Sequence, residues 1–148
     1  AYLFVFVALP IPVIDVTWWH AVLGWLSMHF VAGLILGCVF LPAHVVPSSD
    51  FPKPNEHNVV ENDFLIHQLQ TTSNFAQKKP IFSWYVGGLN FQIEHHLFPT
   101  ISHVHLKKIS KIVKATAKEF GLPYHSQPTF LGAVLSHAKM LKKMSTGV

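Results

Sequence analysis

The sequence predicts an all-α integral membrane protein in which transmembrane helices are followed by a cytoplasmic helical cap rich in histidine. Half of the 148 residues are hydrophobic and only 12% are charged, which is unusual for a protein fully exposed to water. Residues 16–41 form a long apolar run, and every basic residue lies after residue 52. Eleven residues are histidine, and most of them follow the apolar run.

The apolar run at residues 16–41 predicts one transmembrane helix. From residue 21 onward its only clearly polar side chains are Ser27 and His29. As a helix the run would be about 39 Å long, which is enough to cross a bilayer with some tilt. Residues 1–14 carry no charged side chain but are short for a span, so we interpret them as the end of an earlier transmembrane helix. A signal peptide is disfavoured, because a basic start and a small-residue cleavage site are both missing.

The distribution of lysine predicts which side of the membrane the rest of the chain occupies. The first basic residue is Lys53, and the sequence contains no arginine. Because cytoplasmic segments are enriched in basic residues, we expect residues 42–148 to be cytoplasmic. The lack of arginine argues against nucleic-acid binding, and the net charge of +4 suits anionic lipid headgroups instead. The single cysteine, Cys38, excludes a disulfide framework and a CxxC metal site.

The cytoplasmic part is predicted to consist of helices joined by loops. Residues 47–58 are rich in proline and asparagine and predict a loop, whereas residues 59–76 predict a helix. Between Leu106 and Phe120 apolar residues repeat at helical spacing among five lysines, which predicts an amphipathic basic helix ended by Gly121. Such a helix could lie on the membrane surface or pack on its own domain with a solvated lysine face, and the sequence leaves both interpretations open.

The stretch FQIEHHLFP at residues 91–99 carries the clearest chemical signal. If it is helical, Gln92, His95 and His96 occupy positions i, i+3 and i+4 and share one face. Imidazole nitrogen suits iron, zinc, copper and nickel, and the sequence offers no thiolate pair that would select a soft metal. A pair of histidines does not by itself distinguish metal ligands from structural residues, and the HExxH pattern of zinc proteases is absent. The crowding of histidines beside a membrane span favours a metal site.

The same stretch resembles the third histidine box of membrane fatty acid desaturases. QIEHHLFP follows WYVGGLNF and precedes TISHVHL, an order similar to that of front-end desaturases, in which glutamine replaces the first histidine of an HxxHH box. AHVV at residues 43–46 and HQLQTTSNF at residues 67–75 are similar to bacterial and cyanobacterial members. The resemblance extends from the span to about Phe130, so we interpret residues 1–148 as the C-terminal part of a single desaturase domain.

The resemblance implies that the helical cap carries a non-haem centre of two iron ions, which uses dioxygen to introduce a double bond into an acyl chain. Transferred residue by residue, the iron ligands would be His44, Gln92, His95 and His96. His67 is a further candidate, although family members often place another residue there. The first two histidine boxes of the family would lie upstream of residue 1, so we expect these 148 residues alone to be inactive.

The resemblance also implies partners and a location. The substrate would be an acyl-lipid or an acyl-CoA, and electrons would come from a carrier such as cytochrome b5 or ferredoxin. The full-length protein would be a multi-pass protein embedded among the lipids of a bacterial cytoplasmic membrane. Its histidine box would face the cytoplasm.

Several other residues near the box are expected to support the ligands without binding iron themselves. These residues are Glu94, His103 and His105. His29 lies about 22 Å of helix away from His44, so we predict a neutral, hydrogen-bonded imidazole there rather than a ligand. The sequence suggests no chemical role for the four remaining histidines, which are His20, His57, His125 and His137.

Two alternatives to a desaturase remain at this stage. A related membrane hydroxylase or sphingolipid desaturase would carry the same boxes, and product analysis would separate these enzymes. A non-catalytic membrane protein could instead use its histidines to bind zinc or copper. Metal content would decide that question, because iron without zinc supports the enzyme.

Overall fold

The computed structural model describes residues 1–60 and 63–147. Most of the described residues are helical, and the chain divides into two compact units, residues 1–37 and residues 38–148. The predicted mainly helical fold is therefore confirmed. The assignment of residues 42–148 to the cytoplasm stays a prediction.

The first unit contains the apolar N-terminal segments. A π-helical turn, Phe4–Ala8, and a short helix α1, Pro10–Val13, precede helix α2, Trp18–Phe40, whose last turn extends into the second unit. In the part of the chain that the structure describes, one helical segment, Trp18–Ala43, is long and apolar enough to cross a membrane. This agrees with the predicted span, because a run of apolar side chains of this length favours one continuous helix in a membrane.

His29 is hydrogen-bonded within this first unit, as predicted. Its Nε2 lies 2.7 Å from the Tyr2 hydroxyl, and its Nδ1 lies 2.8 Å from the carbonyl oxygen of Trp25. The imidazole therefore has a partner at each ring nitrogen and needs no metal to satisfy it.

The second unit contains short helices and two short strands. In chain order its elements are a 3₁₀ turn Leu41–Ala43, α3 Phe64–Thr71, β1 Ser73–Phe75, α4 Pro80–Tyr85, α5 Gln92–Leu97, α6 His103–Glu119, β2 His125–Gln127 and α7 Phe130–Thr146. Residues Gln92–Leu97 form α5, so the condition under which the box residues share one helical face is met. The predicted basic helix is confirmed as α6.

The strands correct the all-α prediction. β1 and β2 pair in parallel, with Ser73 opposite His125 and Phe75 opposite Gln127. The helix predicted over residues 59–76 begins at Phe64 and ends at Thr71, and residues 61 and 62 lie outside the described part. β-Branched and small polar residues follow Thr71 and form helices poorly, so pairing with a distant segment overrides the local helical pattern.

Helix α6 packs on its own domain, which favours one of the two interpretations that the sequence left open. Its buried residues are Leu106, Ser110, Val113 and Ala117. They form one stripe at helical spacing that faces the interior of the second unit. Four of the lysines flank this stripe on the exposed side of the helix, and they are Lys107, Lys111, Lys114 and Lys118.

Two hydrophobic clusters form the core of the second unit, and one of them contains α5. One cluster includes Val39 from the end of α2 together with Phe75 from β1. The other includes Leu69 from α3, Ile93 from α5 and Val113 from α6. Strand β1 thus connects the end of the apolar helix with the short helix that carries the histidine pair.

The loop before α5 contains a glycine that no other residue could replace without strain. Gly88 has a positive φ of 76°, and a Cβ atom added there would lie 2.9 Å from the Cβ of His103. Both observations require glycine, because a side chain would be strained by the backbone and would collide with the start of α6. The close approach therefore holds the chain that leads into α5 against α6.

Candidate metal centre

Three side chains from two parts of the second unit converge at α5. Gln92 and His96 lie four residues apart and therefore share one face of the helix. The amide nitrogen of Gln92, Nε2, lies 3.2 Å from His96 Nε2 and 3.5 Å from His44 Nε2. The His44 and His96 rings are 5.0 Å apart between their centroids. His44 follows the 3₁₀ turn that ends α2, so the structure brings the residue after the span to the histidine box.

Gln68 determines which nitrogen of His96 is free. The Nδ1 atom of His96 lies 2.7 Å from Gln68 Oε1, an oxygen that can only accept a hydrogen bond. Nδ1 must therefore carry the proton, which leaves the lone pair on Nε2. The contact with the Gln92 amide requires the same tautomer, because an amide N–H donates to that lone pair. His96 thus directs an unprotonated nitrogen toward His44.

Burial keeps both imidazoles in the neutral form that binds metals. Burial lowers the pKa of His44 below its ordinary value. Burial also lowers the pKa of His96 to about 4, and the neighbouring His44 and His95 rings contribute to this shift. A charged imidazolium has no lone pair for a metal, so low pKa values favour ligation at neutral pH.

A cavity of about 390 Å³ is lined by His44 and His96 and also by His67. The Nδ1 atom of His67 is buried and has no hydrogen-bond partner among the described residues, and the same is true of Gln92 Oε1. Buried polar atoms of this kind usually have a partner, so the unpaired Nδ1 of His67, a residue that lines the cavity, indicates a place for a ligand. Asp63, one turn before His67, instead caps α3 by accepting a hydrogen bond from the backbone N–H of Leu65.

His95 is oriented differently from its neighbour. Its ring centroid lies 6.1 Å from that of His96, with the two ring planes at 66°. Successive residues of a helix point about 100° apart, so His95 and His96 can serve two neighbouring metal ions rather than one. Within residues 1–60 and 63–147, no group of three or more His, Cys, Asp or Glu side chains is placed to hold a metal ion. The described cluster therefore consists of two histidines and a glutamine.

Of the three supporting residues predicted from the sequence, Glu94 is placed directly behind the ligand face. It is fully buried, and its carboxylate accepts hydrogen bonds from Tyr124 and Asn74. Burial raises the pKa of Glu94, whereas these hydrogen bonds oppose the shift. Burial and the Glu94 carboxylate both raise the pKa of Tyr124, so the phenol keeps its proton and remains a donor.

The other two predicted supporting residues are not brought to this cluster. The side chains of His103 and His105 are exposed at the start of α6, where the Cβ of His103 lies against Gly88. Their supporting role stays a prediction from the sequence.

Sequence reasoning missed a contact made by His137. Its Nδ1 lies 2.8 Å from the carbonyl oxygen of Val45, the residue after His44. The structure therefore revises the interpretation that His137 has no role, because α7 holds the backbone beside a candidate ligand. The 92 residues that separate the two positions hid this contact from any local pattern.

The donors at this site fit a metal that accepts imidazole nitrogen. They comprise the Nε2 lone pairs of His44 and His96 and the unpaired amide oxygen of Gln92. Iron, zinc, copper and nickel all accept such ligands. A hydrogen bond from the second ring nitrogen of a ligating histidine, as Gln68 receives from His96, is typical of metal sites.

Comparison with known proteins identifies the class to which this histidine-rich membrane protein belongs. The family model described as fatty acid desaturase matches residues 1–128, and the chain belongs to this family. The chain is 41% identical over 126 residues to an sn-1 linoleoyl-lipid 6-desaturase of Arthrospira platensis, which covers 85% of this chain and 34% of the relative. It is 39% identical over 113 residues to the sn-1 linoleoyl-lipid 6-desaturase of Synechocystis sp., which covers 76% of this chain and 32% of the relative.

A plant relative shows the same pattern. An acyl-lipid (8-3)-desaturase of Physcomitrium patens is 40% identical over 120 residues, which covers 81% of this chain and 25% of the relative. The chain thus spans about a third or less of the length of these relatives. No solved structure matches the chain at a significant level. The predicted resemblance to front-end desaturases is confirmed.

Proposed function

We propose that this chain forms the C-terminal part of a membrane acyl-lipid desaturase that introduces a double bond into an acyl chain. The single observation that supports this most strongly is the convergence of His44, Gln92 and His96 in a family whose named relatives are desaturases. These residues hold iron, together with His95 and with His67 at the edge of the same cavity. The remaining ligands come from the two other histidine boxes that the family resemblance implies.

The reaction needs a strong oxidant, because hydrogen must leave two adjacent and unactivated carbons of the acyl chain. A pair of non-haem iron ions with dioxygen supplies this oxidising power when bound, and dioxygen is reduced to water. The residues of this chain provide neutral imidazoles at the site, and Gln68 holds the tautomer of His96. His44 lies four residues after the end of α2, which places the ligands close in sequence to the apolar helix.

The comparison supports a lipid-linked substrate, and an external electron donor is a further part of the proposal. The names of the relatives specify acyl-lipid and linoleoyl-lipid desaturases, which favours a lipid-linked acyl chain over an acyl-CoA. Removing two hydrogens does not supply all the electrons that convert dioxygen into water, so an external donor such as cytochrome b5 or ferredoxin provides the rest. Helix α2 embeds the enzyme among the lipids that carry the substrate.

The proposed orientation places residues 42–148 in the cytoplasm of a bacterial cell, with α2 across the cytoplasmic membrane. Cysteine labelling tests it in full-length protein with Cys38→Ser as background. Thr17 and Lys53 are both exposed and flank the apolar helix. A membrane-impermeant thiol reagent added to intact cells should label Thr17→Cys and leave Lys53→Cys unlabelled until the cells are opened. Labelling of both positions from outside would contradict the orientation.

Product and metal analysis of the full-length enzyme tests the proposed activity. We expect its expression in a cell supplied with an electron donor to yield lipids whose acyl chains carry one additional double bond, and the purified protein to contain iron. A hydroxylated acyl chain would assign the protein to the related hydroxylases. Zinc or copper in place of iron, with unchanged lipids, would favour a non-catalytic metal-binding protein and would overturn the proposal.

A further inference from the structure

Helix α5 does not cap its own N-terminus. It has six residues, its N-cap residue is Phe91, and no side-chain cap hydrogen bond is made there. A helix this short is not stable by itself in water, and its first backbone N–H groups need partners from elsewhere. One partner comes from strand β1, because the N–H of Ile93 donates to Asn74 Oδ1 at 2.9 Å. Asn74 therefore acts as a cap supplied by a distant element.

The same asparagine also holds the residue that precedes the histidine pair. Asn74 Nδ2 donates to Glu94 Oε2 at 2.9 Å, and the Tyr124 hydroxyl donates to Glu94 Oε1 at 2.8 Å. Both carboxylate oxygens thus have a donor, and Asn74 and Glu94 are 0% exposed. A buried polar group that loses its partner is costly, so Glu94 cannot turn away from Asn74 and Tyr124 without a penalty that an apolar contact would not impose.

The donors are themselves held in place. Asn74 lies in the middle of β1, opposite Ser126 of β2, so strand pairing fixes its backbone. The Tyr124 hydroxyl also accepts hydrogen bonds from Asn74 Nδ2 at 2.8 Å and Gln77 Nε2 at 3.1 Å. A fully satisfied buried network of this kind restricts its members to one arrangement.

The network acts on the side of α5 that faces away from the candidate ligands. At 100° per residue, Glu94 points about 160° away from both Gln92 and His96, each of which lies two residues from it. A rotation of α5 that moved Gln92 and His96 away from His44 would therefore have to break the bonds to Glu94 and Ile93. The contacts behind the helix thus determine where the ligand face points.

We propose that Asn74 and Tyr124 are positioning residues for the metal-binding face of α5, which they orient through Ile93 and Glu94. The inference rests on the proposed function only in taking Gln92, His95 and His96 as iron ligands. Asn74 lies 18 positions before Gln92, and Tyr124 lies 28 positions after His96. The inference therefore assigns a role to two residues outside the histidine box.

An exchange of amide and carboxylate across the contact between Asn74 and Glu94 tests the inference. Asn74→Asp keeps the acceptor for Ile93 N–H but places two carboxylates together, so the ligand face should lose its orientation. Glu94→Gln then restores a donor and an acceptor in the reversed direction. In the full-length protein we expect Asn74→Asp to weaken metal binding by about ten- to hundred-fold, and we expect the double variant to recover most of the loss.

The measurements are made on metal binding rather than on activity alone. Affinity is measured with iron(II), and the visible absorption of cobalt(II) bound in its place reports the ligand geometry. Thermal unfolding of the metal-free protein is recorded in parallel. A purely structural role would lower the unfolding temperature and leave the cobalt spectrum of the folded fraction unchanged, whereas a positioning role changes the spectrum. Asn58→Asp, the same exchange at an exposed loop residue outside this network, is the matched control and should alter neither.

Every outcome separates this inference from the proposed function. Wild-type metal affinity and cobalt spectrum in Asn74→Asp would overturn the inference, and so would a double variant as defective as the single one. If Asn74→Asp does not fold, Tyr124→Phe removes the donor to Glu94 together with the acceptor for Asn74 and Gln77, and it should weaken metal binding several-fold with a changed spectrum. An unchanged spectrum there would overturn the inference as well. Wild-type protein that binds no iron would instead refute the proposed function.

Discussion

Helices α2 and α5 are held in opposite ways. α2 has 23 residues, and within the two units described only one of them, Val39, is buried. α5 has six residues, and its first three are buried. The long helix satisfies its own backbone hydrogen bonds over most of its length, whereas the short one takes a cap and two carboxylate contacts from distant elements.

This difference indicates which substitutions should affect the candidate metal site. An apolar helix of membrane length is stable in an apolar environment because it satisfies its own backbone hydrogen bonds. Single conservative changes along it therefore have little effect on its stability. A six-residue helix that carries metal ligands depends on contacts that lie far away in the sequence. Substitutions outside the histidine box should therefore change the metal site, whereas similar substitutions in α2 should not.

The largest effect should come from replacing the candidate ligands, which are His44 after the end of α2 and His96 in α5. His44→Ala and His96→Ala should each reduce desaturation below detection and lower bound iron, because each removes a ligand that water replaces poorly. Lipid product analysis and metal content of the full-length enzyme measure this. His57→Ala, at an exposed loop histidine, is the control and should retain both. Full activity of His96→Ala would show that the metal lies elsewhere.

The next largest effect should come from the partner of His96. Gln68→Leu should weaken iron binding by about ten- to hundred-fold, because His96 loses the acceptor that fixes its tautomer. Gln68→Glu keeps an acceptor and should retain most of the affinity. Titration with iron(II) compares the two variants. Equal loss in both would mean that an acceptor at position 68 is not what His96 requires.

A smaller effect on stability is expected from the protonation of His96 at low pH. In the folded, metal-free protein the pKa of His96 is about 4, against an ordinary value of 6.5. Between these values the unfolded chain binds more protons, so the contribution of His96 to stability is present above pH 6.5 and is lost as the pH falls toward 4. The unfolding temperature should therefore fall over this window, and it should fall less in His96→Gln. An equal decrease in wild type and variant would contradict the assignment.

The smallest effects compare the two helices directly. Ile93→Val in α5 removes a methyl group from a fully buried site and should cost about 1 kcal/mol. Met28→Leu in α2 changes an exposed apolar side chain of similar size and should leave the free energy of unfolding nearly unchanged. Thermal or denaturant unfolding in detergent measures both. A larger loss for Met28→Leu would mean that α2 is as tightly packed as α5.

Local patterns in the sequence were sufficient for the parts of the structure that depend on near neighbours. The helix over residues 92–97 follows from the spacing of the histidine box, and α6 follows from its amphipathic repeat. The strand at Ser73–Phe75 did not follow, because its partner begins at His125, beyond α6. Pairing between such distant segments leaves no periodic signal in either one.

For the candidate site, the residue types were predictable and their arrangement was not. The sequence by itself determined the apolar helix, the histidine box and the choice of imidazole as the main ligand, because these follow from composition and short spacing. Only the tertiary structure decided that His44 faces Gln92 and His96, that Gln68 sets the tautomer of His96, and that Asn74 and Tyr124 hold Glu94. Each of these contacts joins residues at least 20 positions apart, except the pair within α5, and contacts at such distances exist only once the chain has folded.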